Sequence, residues 1–252
     1  MGKLDKSQYT KEQWKKIKAE RNAAKARSRA AKEVAKRNAL IEACAKKISK
    51  RIKDSKCAFV LGNGASRKGI DLHLLKSAGC VYGCNALYRE FDPDYLVAVD
   101  TKMIIELHKA GYQRDHEVWT NPNKAYTNYH GFNYFQPSKG WSSGPTALWL
   151  SSQHDNEVIY ILGFDYKGHE DGKRFNNIYA DTFNYKKSND SATYFGNWMR
   201  QTTSVIKENP KKRYIRVIEE QGFIPQDLKI LPNLEHIFVK DLLKILEDPD
   251  IL

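Results

Sequence analysis

The chain has 252 residues, 41% of them apolar, and carries 42 Lys and Arg against 30 Asp and Glu, for a formal charge of +12 and a pI near 9.4. This is enough apolar material for one sizeable core, and no apolar run approaches the roughly 20 residues that a bilayer span demands. Cys44, Cys57, Cys80 and Cys84 form no zinc-type Cys-x-x-Cys pair, and no apolar signal region follows Met1, so the expectation is a cytoplasmic protein with buried, reduced thiols and no membrane span.

The charge is unevenly placed. Residues 1–56 hold 19 basic and 6 acidic side chains, whereas the remainder comes to −1. Residues 1–55 read as a basic helical arm: from Ser7 to Lys53 there is neither Gly nor Pro, and Ala, Lys, Arg and Glu dominate. Ser7 or Thr10 is placed to cap it. Up to Ala31 its apolar residues are mostly alanine, but Val34, Ile41, Cys44, Ile48 and Ile52 recur at helical spacing, so the second half is expected to dock and the first to project. Lys11, Lys15, Lys18, Arg21, Lys25, Arg27 and Arg29, with Tyr9 and Trp14 nearby, suit a DNA phosphate backbone. A solvated tail and an anionic membrane surface are the competing readings; the second has only Trp14 and Ile17 as large apolar contacts before Val34.

Residues 56–252 read as an α/β domain. Cys57 to Leu61 is an apolar strand that breaks into Gly62-Asn63-Gly64-Ala65-Ser66, a turn whose small residues leave room for a phosphate. A short helix follows from Ile70 to Ser77, in which His73 reads as a packed or surface histidine. A second strand ends in Gly83-Cys84-Asn85, and a third, from Asp94, ends on Asp100. The Asp92-Pro93-Asp94 triplet precedes its strand, so it is the wrong end for a metal site, and no metal is expected. Thr101 is expected to cap a helix to Lys109, His116–Thr120 to form a strand, and Asn121–Gln136 to be loop with room for one short strand. Ser142, Ser143 and Gly144 precede a helix Pro145–Gln153, and Val158 to Asp165 is a further strand. Polar residues and glycines therefore gather at the carboxyl ends of successive strands, where open α/β sheets bind ligands. Residues 167–190 are polar and aromatic and too long for a simple connection; a lid or acceptor-binding insertion is expected, able to stack an extruded base. A helix Ser191–Lys207, strands Tyr214–Ile218 and His236–Val239, and a terminal helix Asp241–Leu246 complete the scaffold.

The order of four blocks, Gly-Asn-Gly-x-Ser, Cys-Asn, Ser-Gly at a helix start and Gly-x-Asp at a strand end, resembles the bacterial sialyltransferases that use CMP-activated sugars and related nonulosonic-acid transferases, over roughly Cys57 to Met199. The resemblance implies a Rossmann-like, mostly parallel sheet and a nucleotide-sugar co-substrate with no further cofactor. It places Asn63, Ser66, Asn85, Ser143 and Gly144 at the donor nucleotide; Gly62, Gly64, Asp100 and Ser142 complete the expected donor site. The chain departs from the family pattern twice. No histidine lies in Ser188–Met199, where the family carries its base, and Gly140-Trp141 stands in place of the sugar-binding arginine. The expected base is then Asp165, His169 or Asp181. Joined to the basic arm, the resemblance implies a metal-independent glycosyltransferase acting on a hydroxymethylated base in bacteriophage DNA. The alternatives are a non-catalytic nucleic-acid-binding or assembly protein on a degenerate transferase fold, and a surface-glycan transferase.

Overall fold

The computed structural model describes residues 10–49 and 56–247, the stretch 44–49 by its backbone alone. The cap expected of Ser7 and the apolar position Ile52 lie outside the described residues; Cys44 and Ile48 lie on α1, their side chains outside what is described. The chain divides into two units, residues 1–43 and 44–252. The described part of the first is helical: α1 runs Lys11–Ser49, 39 residues without a break, or about 58 Å at 1.5 Å per residue. Thr10 caps it through a reciprocal pair. The Thr10 Oγ1 accepts from the Gln13 amide at 3.2 Å, and the Gln13 Oε1 accepts from the Thr10 amide at 2.9 Å, a capping box that satisfies two end groups at once.

The second unit is an eight-stranded, wholly parallel sheet flanked by helices, a Rossmann-like α/β fold. Its strands are β1 Cys57–Leu61, β2 Cys80–Cys84, β3 Tyr95–Val97, β4 Val118–Thr120, β5 Asn133–Tyr134, β6 Val158–Leu162, β7 Arg213–Ile218 and β8 Leu234–Phe238. Its helices are α2 Leu72–Ala78, α3 Thr101–Ala110, α4 Ser143–Gln153, α6 Gly196–Glu208, α7 Gln226–Lys229 and α8 Val239–Glu247, with α5, His169–Gly172, a single turn whose Glu170 and Asp171 are left-handed. Apolar residues on both parities of the strands produce a core on each face. Phe59, Leu61, Tyr160 and Leu162 pack with α2, α3 and α8, while Ala58, Val60, Ile159 and Ile161 pack with α4, α6 and α7.

The strand order is β5-β4-β3-β2-β1-β6-β7-β8. The chain works outward from β1 to β5, then returns to lay β6 against the other side of β1, and the crevice above this switch is where such sheets take ligands. Several element boundaries differ from expectation: β8 is Leu234–Phe238 rather than His236–Val239, and β3 and β4 are shorter than expected, at Tyr95–Val97 and Val118–Thr120. Asp100, rather than Thr101, occupies the cap position of α3, and its side chain makes no cap bond. α4 begins two residues early, at Ser143. α6 begins at Gly196 rather than Ser191, because 191–192 are held in extended pairing: Ser191 bridges Arg174 and the Ala192 amide donates to the Lys173 carbonyl. The short α7 has no apolar periodicity to announce it.

Candidate functional site

The cleft sits over the β1/β6 switch, with about 800 Å³ of space including its open mouth. Its floor is two turns pressed together. The Gly62 amide donates to the Leu162 carbonyl at 2.8 Å and the Gly64 amide to the Gly163 carbonyl at 2.9 Å. A Cβ at Gly62 would stand 2.6 Å from the Gly163 oxygen, and one at Gly64 would stand 2.5 Å from the Asp165 carboxylate. The glycines are therefore demanded by backbone-to-backbone approach. Ala65 and Ser66 spend their amides as well, on the Asn176 Oδ1 at 2.9 Å and the Asp165 Oδ2 at 3.1 Å. Four of the turn's five amides, those of Gly62, Gly64, Ala65 and Ser66, are consumed inside the protein; Gly62, Asn63 and Gly64 still line the cleft.

The opposite wall is the start of α4. Ser142, Ser143 and Gly144 all line the cleft. Ser143 is a structural rivet there: its hydroxyl donates to Asn85 Oδ1 at 2.8 Å and accepts from the Val99 amide at 3.1 Å, tying α4 to the ends of β2 and β3. Asn85 is held at φ 54°, a left-handed conformation that a side-chain amide tolerates better than most, and its side chain borders the cleft. The Ser142 amide is bound by Gln201 Oε1 at 3.2 Å. Helix starts concentrate unpaired amides and a partial positive charge, so this wall is the one fitted to an anion.

The insertion after β6 folds back over the floor. The Ile178 amide donates to the Asn63 carbonyl at 2.8 Å, and Asn63 Nδ2 donates to the Tyr185 hydroxyl at 3.3 Å. Two arginines latch it. Arg67, only 4% exposed, donates to the Gly62 carbonyl and to Tyr179, whose hydroxyl donates to Glu90 at 2.5 Å. Arg89 donates to Glu106 at 2.7 Å, to Thr182 at 2.9 Å and to the Phe183 carbonyl at 3.0 Å. Burial alone would raise the Glu106 carboxyl, but hydrogen bonds from Tyr88, Arg89 and Asn184 and the charge on Arg89 leave it below its ordinary value of 4.5. A depressed folded value means that the latch contributes fully above the ordinary value and is lost as pH falls through the lowered one. Protection of the amides across 182–187, measured against their intrinsic exchange rates, should accordingly fall as the pH drops below about 4.5, and Glu106→Gln should show the same loss of protection at neutral pH.

Of the three expected bases, only Asp165 lines the cleft. Both its oxygens are engaged, Oδ1 by the Ser66 hydroxyl, Oδ2 by the Ser66 amide and by Asn176 Nδ2 at 3.0 Å. Ser66 itself stands behind Asp165 and off the cleft lining. His169 is exposed, its main chain paired with Arg174. Asp181 is exposed too, and the hydrogen bond from Ser188 holds its carboxyl below the ordinary range. Neither lines the cleft. Asp100 is exposed and also lies off the lining; the neighbouring chain desolvates its carboxyl enough to push it up somewhat, and among the described residues its side chain makes no cap bond to α3. Cys84 is a buried thiol pushed up to about 12, donating to the Leu61 carbonyl. His73 packs edge-on against Phe91, and Asp94 accepts from the Val81 amide at 2.7 Å at the entry side of the sheet. No three His, Cys, Asp or Glu side chains converge as a metal site among the described residues.

Two contributors had no signal in the sequence. Asn176 carries both the Ala65 amide and the Asp165 carboxylate. Arg216, on β7 and 2% exposed, donates to the Phe164, Asp165 and Phe223 carbonyls and lies over the Tyr166 ring, and burial lowers its own value. A strand arginine reads as a surface cation; only the fold reveals it as the brace beneath the cleft.

In the first unit, α1 arranges the basic residues. At 3.6 residues per turn Lys11, Lys15, Lys18, Lys25, Arg29, Lys32 and Lys36 fall within about a third of the circumference, with Arg21 at its edge. Arg27, expected among the nucleic-acid contacts, falls on the opposite face. No helix of the described residues is long and apolar enough to cross a membrane. No family model, curated protein or solved structure matches the chain.

Proposed function

We propose that this chain is a glycosyltransferase: it takes a sugar from a nucleotide-sugar donor and places it on a hydroxyl of a modified base in DNA. The observation that carries this reading is the cleft at the β1/β6 switch, walled by the start of α4 on one side and a carboxylate, Asp165, on the other. Ser142, Gly144 and Asn85 take the donor phosphate and ribose, where a helix start offsets the leaving group's charge without a metal. Asp165, fixed by Ser66 and Asn176, is the base that accepts the acceptor hydroxyl's proton as the sugar carbon leaves phosphate oxygen for hydroxyl oxygen. The stripe on α1 supplies the affinity for DNA. Incubating duplex DNA containing hydroxymethylated bases with the protein and a panel of nucleotide sugars, then weighing the nucleosides by mass spectrometry, tests it: a hexose- or nonulosonate-sized gain is expected.

The saturation of both Asp165 oxygens by neighbours favours a second reading, a nucleic-acid-binding protein that keeps the nucleotide cleft without transfer. Donor binding by calorimetry together with no mass gain under any donor would select it.

A further inference from the structure

At the mouth of the cleft an aromatic surface leads out to solvent. Phe195 and Trp198 line the cleft wall, Phe195 meets Phe223 edge-on at 6.3 Å, and Tyr194 lies parallel to Phe195 at 6.4 Å. Tyr194 is 76% exposed and Phe223 41%. Exposed rings at such a place are normally mobile, but these two are seated. A Cβ on Gly196 would run into the Tyr194 ring, so glycine at that position is what lets the ring lie over the start of α6. The Phe223 carbonyl is gripped by Arg216 Nη1 at 2.9 Å, and the same guanidinium holds the Phe164 and Asp165 carbonyls of the cleft floor. The main chain at Phe223 is thus tied through Arg216 to the backbone of Asp165, and Tyr194 meets the same group of rings through Phe195. Preorganised aromatic faces lose little entropy on stacking.

We propose that Tyr194, Phe195 and Phe223 form the landing shelf for a nucleobase unstacked from its strand, so that the base is presented to the cleft at Asp165. This deepens the DNA-acceptor reading and rests on it. A base is favoured over a sugar ring by the charge around the shelf. Lys173 is on the strand-like stretch paired with Ala192, Lys186 Nζ reaches Thr193 Oγ1 at 3.4 Å, and Arg200 lies one turn along α6. Among the described residues none of these three cations is in an ion pair with a carboxylate, which leaves them for a phosphodiester backbone. Stacking on aromatics beside a basic track is the general solution for holding single strands.

A short single-stranded oligonucleotide carrying 2-aminopurine, whose emission falls when the base stacks, reads this directly with the full chain. Wild type is expected to quench it. Tyr194→Ala combined with Phe223→Ala should abolish the quench and weaken binding roughly 5- to 100-fold, with the salt slope unchanged because no phosphate contact is lost. Ile230→Ala, an exposed apolar side chain off the cleft lining, should behave as wild type. Tyr194→Leu guards against a folding defect, and nucleotide-sugar binding by calorimetry reports the state of the cleft in each variant. A bound strand whose 2-aminopurine emission is unchanged overturns the proposal, as does a strand that does not bind. Displacement of the strand by maltoheptaose would overturn the choice of base over sugar. A quench that follows the aromatic variants while no nucleotide sugar binds wild type would sink the donor reading and leave the shelf standing.

Discussion

Asp165→Asn is expected to lower sugar transfer by about 10²–10⁴-fold, the usual cost of losing a general base. The carboxylate accepts from the Ser66 amide and hydroxyl and from Asn176 Nδ2, so an amide there turns one acceptor into a donor facing donors. A loss of about 1–3 kcal/mol in stability should accompany the loss of rate, and the two must be separated. Single-turnover rates at saturating donor, below the melting transition, do so. Ser66→Ala keeps the carboxylate but loosens it, and should fall between wild type and Asp165→Asn. His169→Ala and Asp181→Asn touch exposed side chains outside the cleft and should leave the rate nearly unchanged. Wild-type turnover by Asp165→Asn would remove Asp165 as the base.

Replacing Lys15, Lys18, Lys25 and Arg29 by Gln together should weaken nonspecific DNA binding by on the order of 10³-fold at 0.1 M salt, with the slope of log K against log salt shallower by about 3.6 units. Glutamine is a good helix former, so α1 should persist, as circular dichroism can verify. All four residues are exposed and lie on one face of an unbroken helix, the arrangement that lets one surface meet a row of phosphates. Arg27→Gln, on the opposite face, should change the slope by far less. Equal effects from Arg27 and from a stripe residue would mean that the arm acts through net charge alone, and an unchanged slope in the fourfold variant would assign DNA binding elsewhere.

Most of the architecture was legible in the residue order because parallel strands buried on both faces are continuous apolar runs. Cys57–Leu61 and Val158–Leu162 announce themselves in this way, and Gly-Asn-Gly after β1 and Ser-Ser-Gly at the start of α4 mark the strand and helix ends that border the cleft. The helical arm was equally plain, since 39 residues free of Gly and Pro leave the backbone no cheaper choice. Weak signals failed where local propensity competes with pairing across the fold. The start of α6 was displaced to Gly196 by the extended contact of residues 191–192 with the insertion.

The site divides along the same line. Composition and order alone determined that small and polar residues would collect at the carboxyl ends of β1, β2, β3 and β6, because a parallel sheet puts those ends on one edge. What each residue does there was decided by tertiary contacts. Gly62 and Gly64 turn out to serve the approach of two backbones, Ser143 and Asn85 to fasten one element to another, and Asp165 to be gripped by Ser66 and Asn176. Arg216 and the Tyr194–Phe223 shelf depend on residues up to 52 positions apart. A sequence states which donors and acceptors exist; only the packed chain states which have already found each other and which are left for a ligand.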